Sequence, residues 1–235
     1  MSHADDVQAL LSTLQDAGPH ATSEVLAGRL VDACVGALPI TGAAIVWMTN
    51  SGPGKTLAAT DGPVMVLEEL QFSLGEGPCI ESSESGRSVL RSDLLDRGAE
   101  SWPAFTRGAL EAGVRAVFAL PLHIGPIRIG VLDLYRSQPG ALDSAGLLTA
   151  LAYADAATEI LLQMQADAGA SEIPDAITRV IAERAVVHQA MGMVAVQLSV
   201  DLATALVSLR ARAFALERPI DDVALDVIAR RIRFT

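Results

Sequence analysis

The chain has 235 residues, long for one ordinary domain and comfortable for two. Hydrophobic residues make up 51% and charged residues 19%, which excludes a chain disordered throughout, because so much apolar surface can offset the entropy of folding. The formal net charge is −11, which on its face argues against a nucleic-acid binder.

The distribution of charge changes that reading. Residues 1–170 hold 9 Lys+Arg against 20 Asp+Glu, whereas residues 171–235 hold 8 Arg against 8 acids. The C-terminal part is therefore neutral, neither acidic nor a basic domain. No stretch approaches the roughly 18 uninterrupted apolar residues of a membrane span. Residues 1–6 carry acid where a signal peptide would carry Lys or Arg, so the expected location is cytoplasmic, with no membrane partner. Two cysteines, Cys34 and Cys79, and four histidines leave neither a disulfide scaffold nor a metal-ligand cluster, and zinc is not indicated.

Along the chain, Val7, Leu10, Leu11 and Leu14 fall at helical spacing, and Gly18-Pro19 ends that segment. Ser23 is a plausible N-cap for a second helix with Leu26, Leu30, Cys34 and Leu38 along one stripe, closed by Pro39. Residues 43–48 read as a strand, Ser51-Gly52-Pro53-Gly54 as a turn, and residues 55–60 as the return of a hairpin broken by Asp61-Gly62-Pro63. A helix starts at Ser101-Trp102-Pro103 and ends near Gly113. Residues 114–122 and 127–135 are two strong strands joined by His123-Ile124-Gly125-Pro126, and residues 143–165 a final helix. This outlines an antiparallel α+β layer. Residues 166–171 are small and weakly structured, the best candidate junction. Beyond them all is helical: residues 174–198 from Pro174, residues 202–216 capped by Ser199-Val200-Asp201, and a last helix from Arg218-Pro219 with Ile220, Val223, Val227 and Ile228 inward.

Two motif sets carry a resemblance. Leu74-Gly75-Glu76-Gly77-Pro78-Cys79, Trp102-Pro103 with Phe105, residues 115–122 and Gly130-Val131-Leu132-Asp133-Leu134-Tyr135, in that order, resemble a GAF domain, a small-molecule sensing module. Arg184, His188-Gln189-Ala190-Met191-Gly192-Met193, Ala205-Leu206 with Leu209-Arg210, and Arg218-Pro219-Ile220 with Val223-Ala224 resemble an ANTAR domain, an RNA-binding antitermination module. The resemblance implies an α+β fold with a GAF-type antiparallel sheet flanked by helices over residues 1–168, then an all-α three-helix domain over 169–235. It further implies a homodimer that binds hairpin-containing transcripts. One departure is Met191, where the ANTAR family usually has Lys, so one expected phosphate contact is missing.

On that resemblance the RNA-binding candidates are Arg184, His188, Gln189, Ala190, Gly192, Arg210, Arg212, Arg218, Arg230 and Arg231. RNA readers target unstacked loop bases and flanking phosphates, arginine can grip phosphate bidentately and stack on bases, and Ala190 and Gly192 leave helix backbone nearly bare. Competing structural uses stay open: close helix packing for Ala190 and Gly192, helix-dipole pairing for the last arginines, and a coiled-coil seam. Ile177, Arg184, Met191 and Leu198 recur every seven residues, as do Val180, Val187 and Val194. In the sensor part, Trp102, Phe105, Phe118 and Asp133 are ligand-pocket candidates; the aromatic ones also read as core, and Asp133, alternating with apolar residues on its strand, faces either a pocket or a hydrogen-bond partner. Cys79 sits where a helix start would lower its pKa, but no partner for redox or nucleophilic work can be placed beside it, so it reads as a small buried turn residue. His123 reads as a surface turn residue. No triad, metal set or phosphate loop points to an enzyme, and no cofactor can be named. A signal at the sensor part would shift the helix pair 143–165 and 174–198. A DNA-binding regulator and a protein-interaction scaffold are the competing readings.

Overall fold

Residues 3–16, 21–49, 52–60, 62–167 and 185–235 are described by the computed structural model. The chain divides into two separately packed units, residues 1–72 with 76–172, and residues 73–75 with 173–235. The expected stop at Gly18-Pro19, most of the small-residue junction, and the proposed helix start from Pro174 through Arg184 lie outside the described residues.

In the first unit, β1 (Gly42–Thr49), β2 (Gly52–Ala59), β3 (Val89–Arg91), β4 (Ala116–Ile124) and β5 (Ile127–Arg136) form one sheet. Every neighbouring pair is antiparallel, in the order β2-β1-β5-β4-β3. Gly52-Pro53-Gly54, expected as turn residues, extend β2 instead. Proline lacks the N–H of a ladder and is tolerated at a sheet edge, and β2 is an edge strand whose register slips twice against β1. The β4–β5 connection is also tighter than expected. His123 and Ile124 belong to β4, pairing with Arg128 and Ile127, which leaves Gly125-Pro126 as the turn.

Helices cover both faces of the sheet. They are α1 (His3–Asp16), α2 (Ser23–Ala37), α3 (Pro63–Leu74), α4 (Pro78–Ser85), α5 (Leu94–Ser101), α6 (Pro103–Glu111) and α7 (Ser144–Asp167). The cap of α2 is Thr22, whose hydroxyl accepts from the Val25 N–H; Ser23, the expected cap, is already helical and buried. α7 and α2 pack on one side of the sheet and α4 on the other. Burial on both sides explains why β5 is buried without a break from Ile129 to Tyr135, where a one-sided sheet would alternate. Among the described helices, α7 is by itself long and apolar enough to cross a membrane. Its Ala150, Ala154, Ala157, Ile160 and Leu161 are instead buried in this unit.

α3, α5 and β3 had no expected counterpart, and of α4 only a helix start beside Cys79 was expected. Of the expected breaker Asp61-Gly62-Pro63, Pro63 opens α3, since proline fits a first helical turn, and Asp61 lies outside the described residues; a breaker signal cannot tell a hairpin end from a helix start.

The second unit consists of α8 (Ala185–Leu198), α9 (Leu202–Ala215) and α10 (Ile220–Ile228). Each packs against the other two. Val187, Ala190, Met191 and Val194 of α8 meet Ala205, Leu206 and Leu209 of α9 and Ile220, Val223, Ala224 and Val227 of α10 in the core. Val187 and Val194 of one heptad series and Met191 of the other therefore serve packing within the chain over the described part of that helix. Asp201 caps α9 as expected, accepting from the Thr204 N–H at 2.7 Å.

Candidate functional site

A polar cluster lies in the interior of the first unit. Asp133 stands on central strand β5, and its partners across β1 and β4 are Ala44 and Ala119. Cross-strand neighbours share a face, so two alanines flank the carboxylate and offer it no polar group. Asp133 has 0% exposure, and apart from the adjacent Cys79 thiol neither of its carboxylate oxygens finds a hydrogen-bond partner. Burial raises its carboxyl to about 7. Two residues along the same face, Tyr135 donates to Glu68 Oε1 at 2.6 Å and accepts from Gln71 Nε2 at 2.9 Å. Gln71 Oε1 in turn accepts the Cys79 N–H at 2.8 Å.

Helix geometry delivers these groups. Glu68 and Gln71 are three apart on α3 and share its buried face with Val64, Leu67 and Phe72. Cys79 follows Pro78 in the first turn of α4, after a turn in which Gly77 takes φ +135°. A Cβ at Gly77 would sit 2.5 Å from Gln71 Oε1, so the bare glycine lets α3 and α4 approach. Glu76 anchors the same turn, accepting the N–H groups of Ala104 and Phe105 at 2.7 and 2.9 Å, at the start of α6 where Trp102 supplies no side-chain cap. One ligating atom each of Glu68, Cys79 and Asp133 lies within 4.8 Å of the others.

Cys79 is no activated thiol here. Burial first, then the charges of Asp133 and Glu68, push it well above the usual thiol range. The helix start was expected to lower it; the two acids and desolvation outweigh a dipole contribution worth about 1 kcal/mol. Trp102, Phe105 and Phe118 are buried in the core, with Trp102 and Phe105 edge-to-face at 6.2 Å. His123 is exposed near the end of β4.

The second unit carries a groove of about 620 Å³ between α8 and the segment after α10, lined among others by Gln189, Gly192, Val196, Arg230, Arg233 and Phe234. Among the described residues its lining holds two arginines and no aspartate or glutamate. A Cβ at Gly192 would meet nothing within 4 Å, so backbone is open there. Ala190 is not: it has 0% exposure and takes the close-packing use, because the α8 face that carries it turns to the core. Met191 is buried on the same side, where a lysine would bury its charge.

The arginines divide. Arg218 and Arg231 both pair with Asp226, at 2.8 and 2.6 Å. Arg212 stacks over the Phe234 ring at 5.0 Å, and the Phe234 N–H donates to Gln197 at 2.8 Å. Arg210 is half-buried, whereas His188, Gln189 and Arg230 are exposed. Arg184 lies outside the described residues. Arg233, one of the last arginines weighed between RNA contact and helix-dipole pairing, lines the groove. Glu68, Gln71 and Tyr135 were missed; their one signal was a Glu and a Gln in the apolar stripe of α3.

The GAF domain family matches residues 20–169, leaving the helices of the second unit outside the match. No curated protein matches the chain by sequence. Among solved structures, a domain assigned to a two-component sensor histidine kinase protein of Sinorhizobium meliloti 1021 is similar at 20% identity and TM-score 0.52, over 63% of this chain and 96% of that one. The GAF domain of the Acinetobacter phosphoenolpyruvate-protein phosphotransferase is similar at 13% identity and TM-score 0.52, over 71% and 98%. Reduced fRMsr of Staphylococcus aureus is similar at 13% identity and TM-score 0.50, over 68% and 95%. At these identities the likeness is one of fold.

Proposed function

The chain belongs to the GAF domain family, and from that premise we propose that it is a cytoplasmic, homodimeric, signal-responsive regulator whose C-terminal helical unit binds RNA hairpins and acts by transcription antitermination. Signal sensing is what a GAF domain supplies. The output half rests on the resemblance of the last third to ANTAR domains and on one observation, the groove in which Arg230 and Arg233 stand beside the open backbone of Gly192.

The groove suits single-stranded RNA better than a duplex. Two guanidinium groups can grip neighbouring phosphates, and a helix face without a side chain admits a base edge-on. Few phosphates are engaged, so binding loses about one to two powers of ten per tenfold rise in salt. Mobility-shift titration of the full chain with hairpin RNA, scrambled RNA and duplex DNA tests this. The expected result is a hairpin preference, weakened at least about tenfold by Arg230→Ala with Arg233→Ala. Equal or absent binding to all three nucleic acids would sink the reading. Preference for duplex DNA would mark a DNA-binding regulator.

A protein-interaction scaffold is the second reading, favoured by Val207 and Phe214, each 61% exposed and seven residues apart on α9.

A further inference from the structure

We propose that Glu68, Cys79 and Asp133 form a binding site for a single divalent first-row transition-metal cation inside the sensor unit. The inference goes beyond signal sensing and does not depend on RNA binding.

Two observations carry it. The ligating atoms of the three side chains already lie within 4.8 Å of one another. Ligands of one tetrahedral zinc, at about 2.0–2.3 Å from the metal, stand roughly 3.5 Å apart, so contraction by about 1 Å suffices. Second, Asp133 is fully buried, and apart from the neighbouring Cys79 thiol neither of its oxygens has a partner. A buried polar group normally finds a partner, and each exception calls for an explanation; here both oxygens share one small volume with a thiol and a second carboxylate. Three acids gathered in an apolar interior must either keep their protons or meet a cation.

The surroundings resemble those of a built site. Tyr135 holds Glu68, Gln71 holds Tyr135, and the other end of the Gln71 amide holds the backbone of Cys79. Such outer contacts orient metal ligands and exclude wrong geometries. One sulfur with two carboxylates selects Zn2+, Fe2+ or Co2+ over Mg2+ and Ca2+, which prefer oxygen alone. Three protein ligands leave a coordination position open, where a small ligand would reach the metal. The competing account is a metal-free cluster in which the acids simply remain protonated.

Cobalt(II) distinguishes the two in the chelator-stripped full chain. Metal binding must displace the protons of the ligands, so titration is expected to release protons and to produce a thiolate-to-cobalt charge-transfer band. Because the chain has two cysteines, the sulfur can be identified: Cys79→Ser abolishes the band and Cys34→Ser leaves it. Asp133→Asn weakens cobalt at least about tenfold. Folded wild-type chain that shows neither band nor proton release at saturating cobalt overturns the proposal, as does a band that survives Cys79→Ser and vanishes with Cys34→Ser. None of these readouts involves RNA, so failure here leaves the antitermination reading standing, and the reverse.

Discussion

Asp226 shows how one residue can decide what its neighbours are free to do. It accepts from both Arg218 and Arg231, which engages two of the expected RNA-contacting arginines in ion pairs although both stay exposed, and leaves Arg230 and Arg233 along the groove. The two guanidinium groups, Arg218 first, lower the Asp226 carboxyl below its ordinary 3.8. A carboxyl depressed in the folded state stabilises it above the unfolded pKa, and that contribution disappears as pH falls through the folded value. Asp226→Asn is therefore expected to melt below the wild type at neutral pH and to converge with it in acid, as thermal unfolding across pH would show. Sequence inspection reads charges by proximity along the chain; pairing of Arg218 with Asp226 depends on how α10 closes on its own N-terminal flank.

At the scale of elements, the turn between α3 and α4 and the helix ends of the second unit carry the conformational cost. Gly77 has a backbone that side chains rarely adopt and no room beside Gln71. Gly77→Ala is expected to cost about 1–3 kcal/mol, read as a lower urea midpoint. It should also disturb the Tyr135 and Cys79 hydrogen bonds that Gln71 makes. Ser199, Glu217 and Arg230 each take positive φ, at 56°, 50° and 59°, just past α8, α9 and α10, where glycine is the usual residue. Glu217→Gly should accordingly raise stability by about 0.5–1 kcal/mol in a urea titration. Arg230 occupies the same strained conformation while lining the groove, and a charged side chain retained there fits a binding residue. The αL ends were not legible in the sequence, because nothing marks Ser, Glu or Arg as left-handed until the next helix fixes the chain's path.

For the whole molecule, the proposed function requires that a change in the sensor unit reach the C-terminal helical unit. A ligand or metal can drive this only through different affinities for two states of the chain. If the units are coupled, occupying the Glu68–Cys79–Asp133 site with zinc changes hairpin affinity while the groove sequence is untouched, and Cys79→Ser removes that dependence. Hairpin titrations with and without zinc check it; identical affinities would mean that the two units act independently. The heptad spacing had suggested a seam between copies along the helix ending at Leu198. Its described part is occupied by α9 and α10, so any dimer contact made by α8 must use another face.

Periodicity, turn chemistry and caps are properties of neighbouring residues, and they sufficed to locate β1, β4, β5, α7 and the three C-terminal helices. They also placed Asp201 as a cap and Asp133 on a face that needed explaining. What they could not supply is which residues meet across the fold. Glu68, Cys79, Asp133 and Tyr135 come from α3, α4 and β5, and only the stacking of those helices on the central strand brings their side chains together. The same holds for Ala190 and Gly192. They are two residues apart on one helix, with one sealed and the other open, because burial is decided by the partner that covers a face and not by the residue itself.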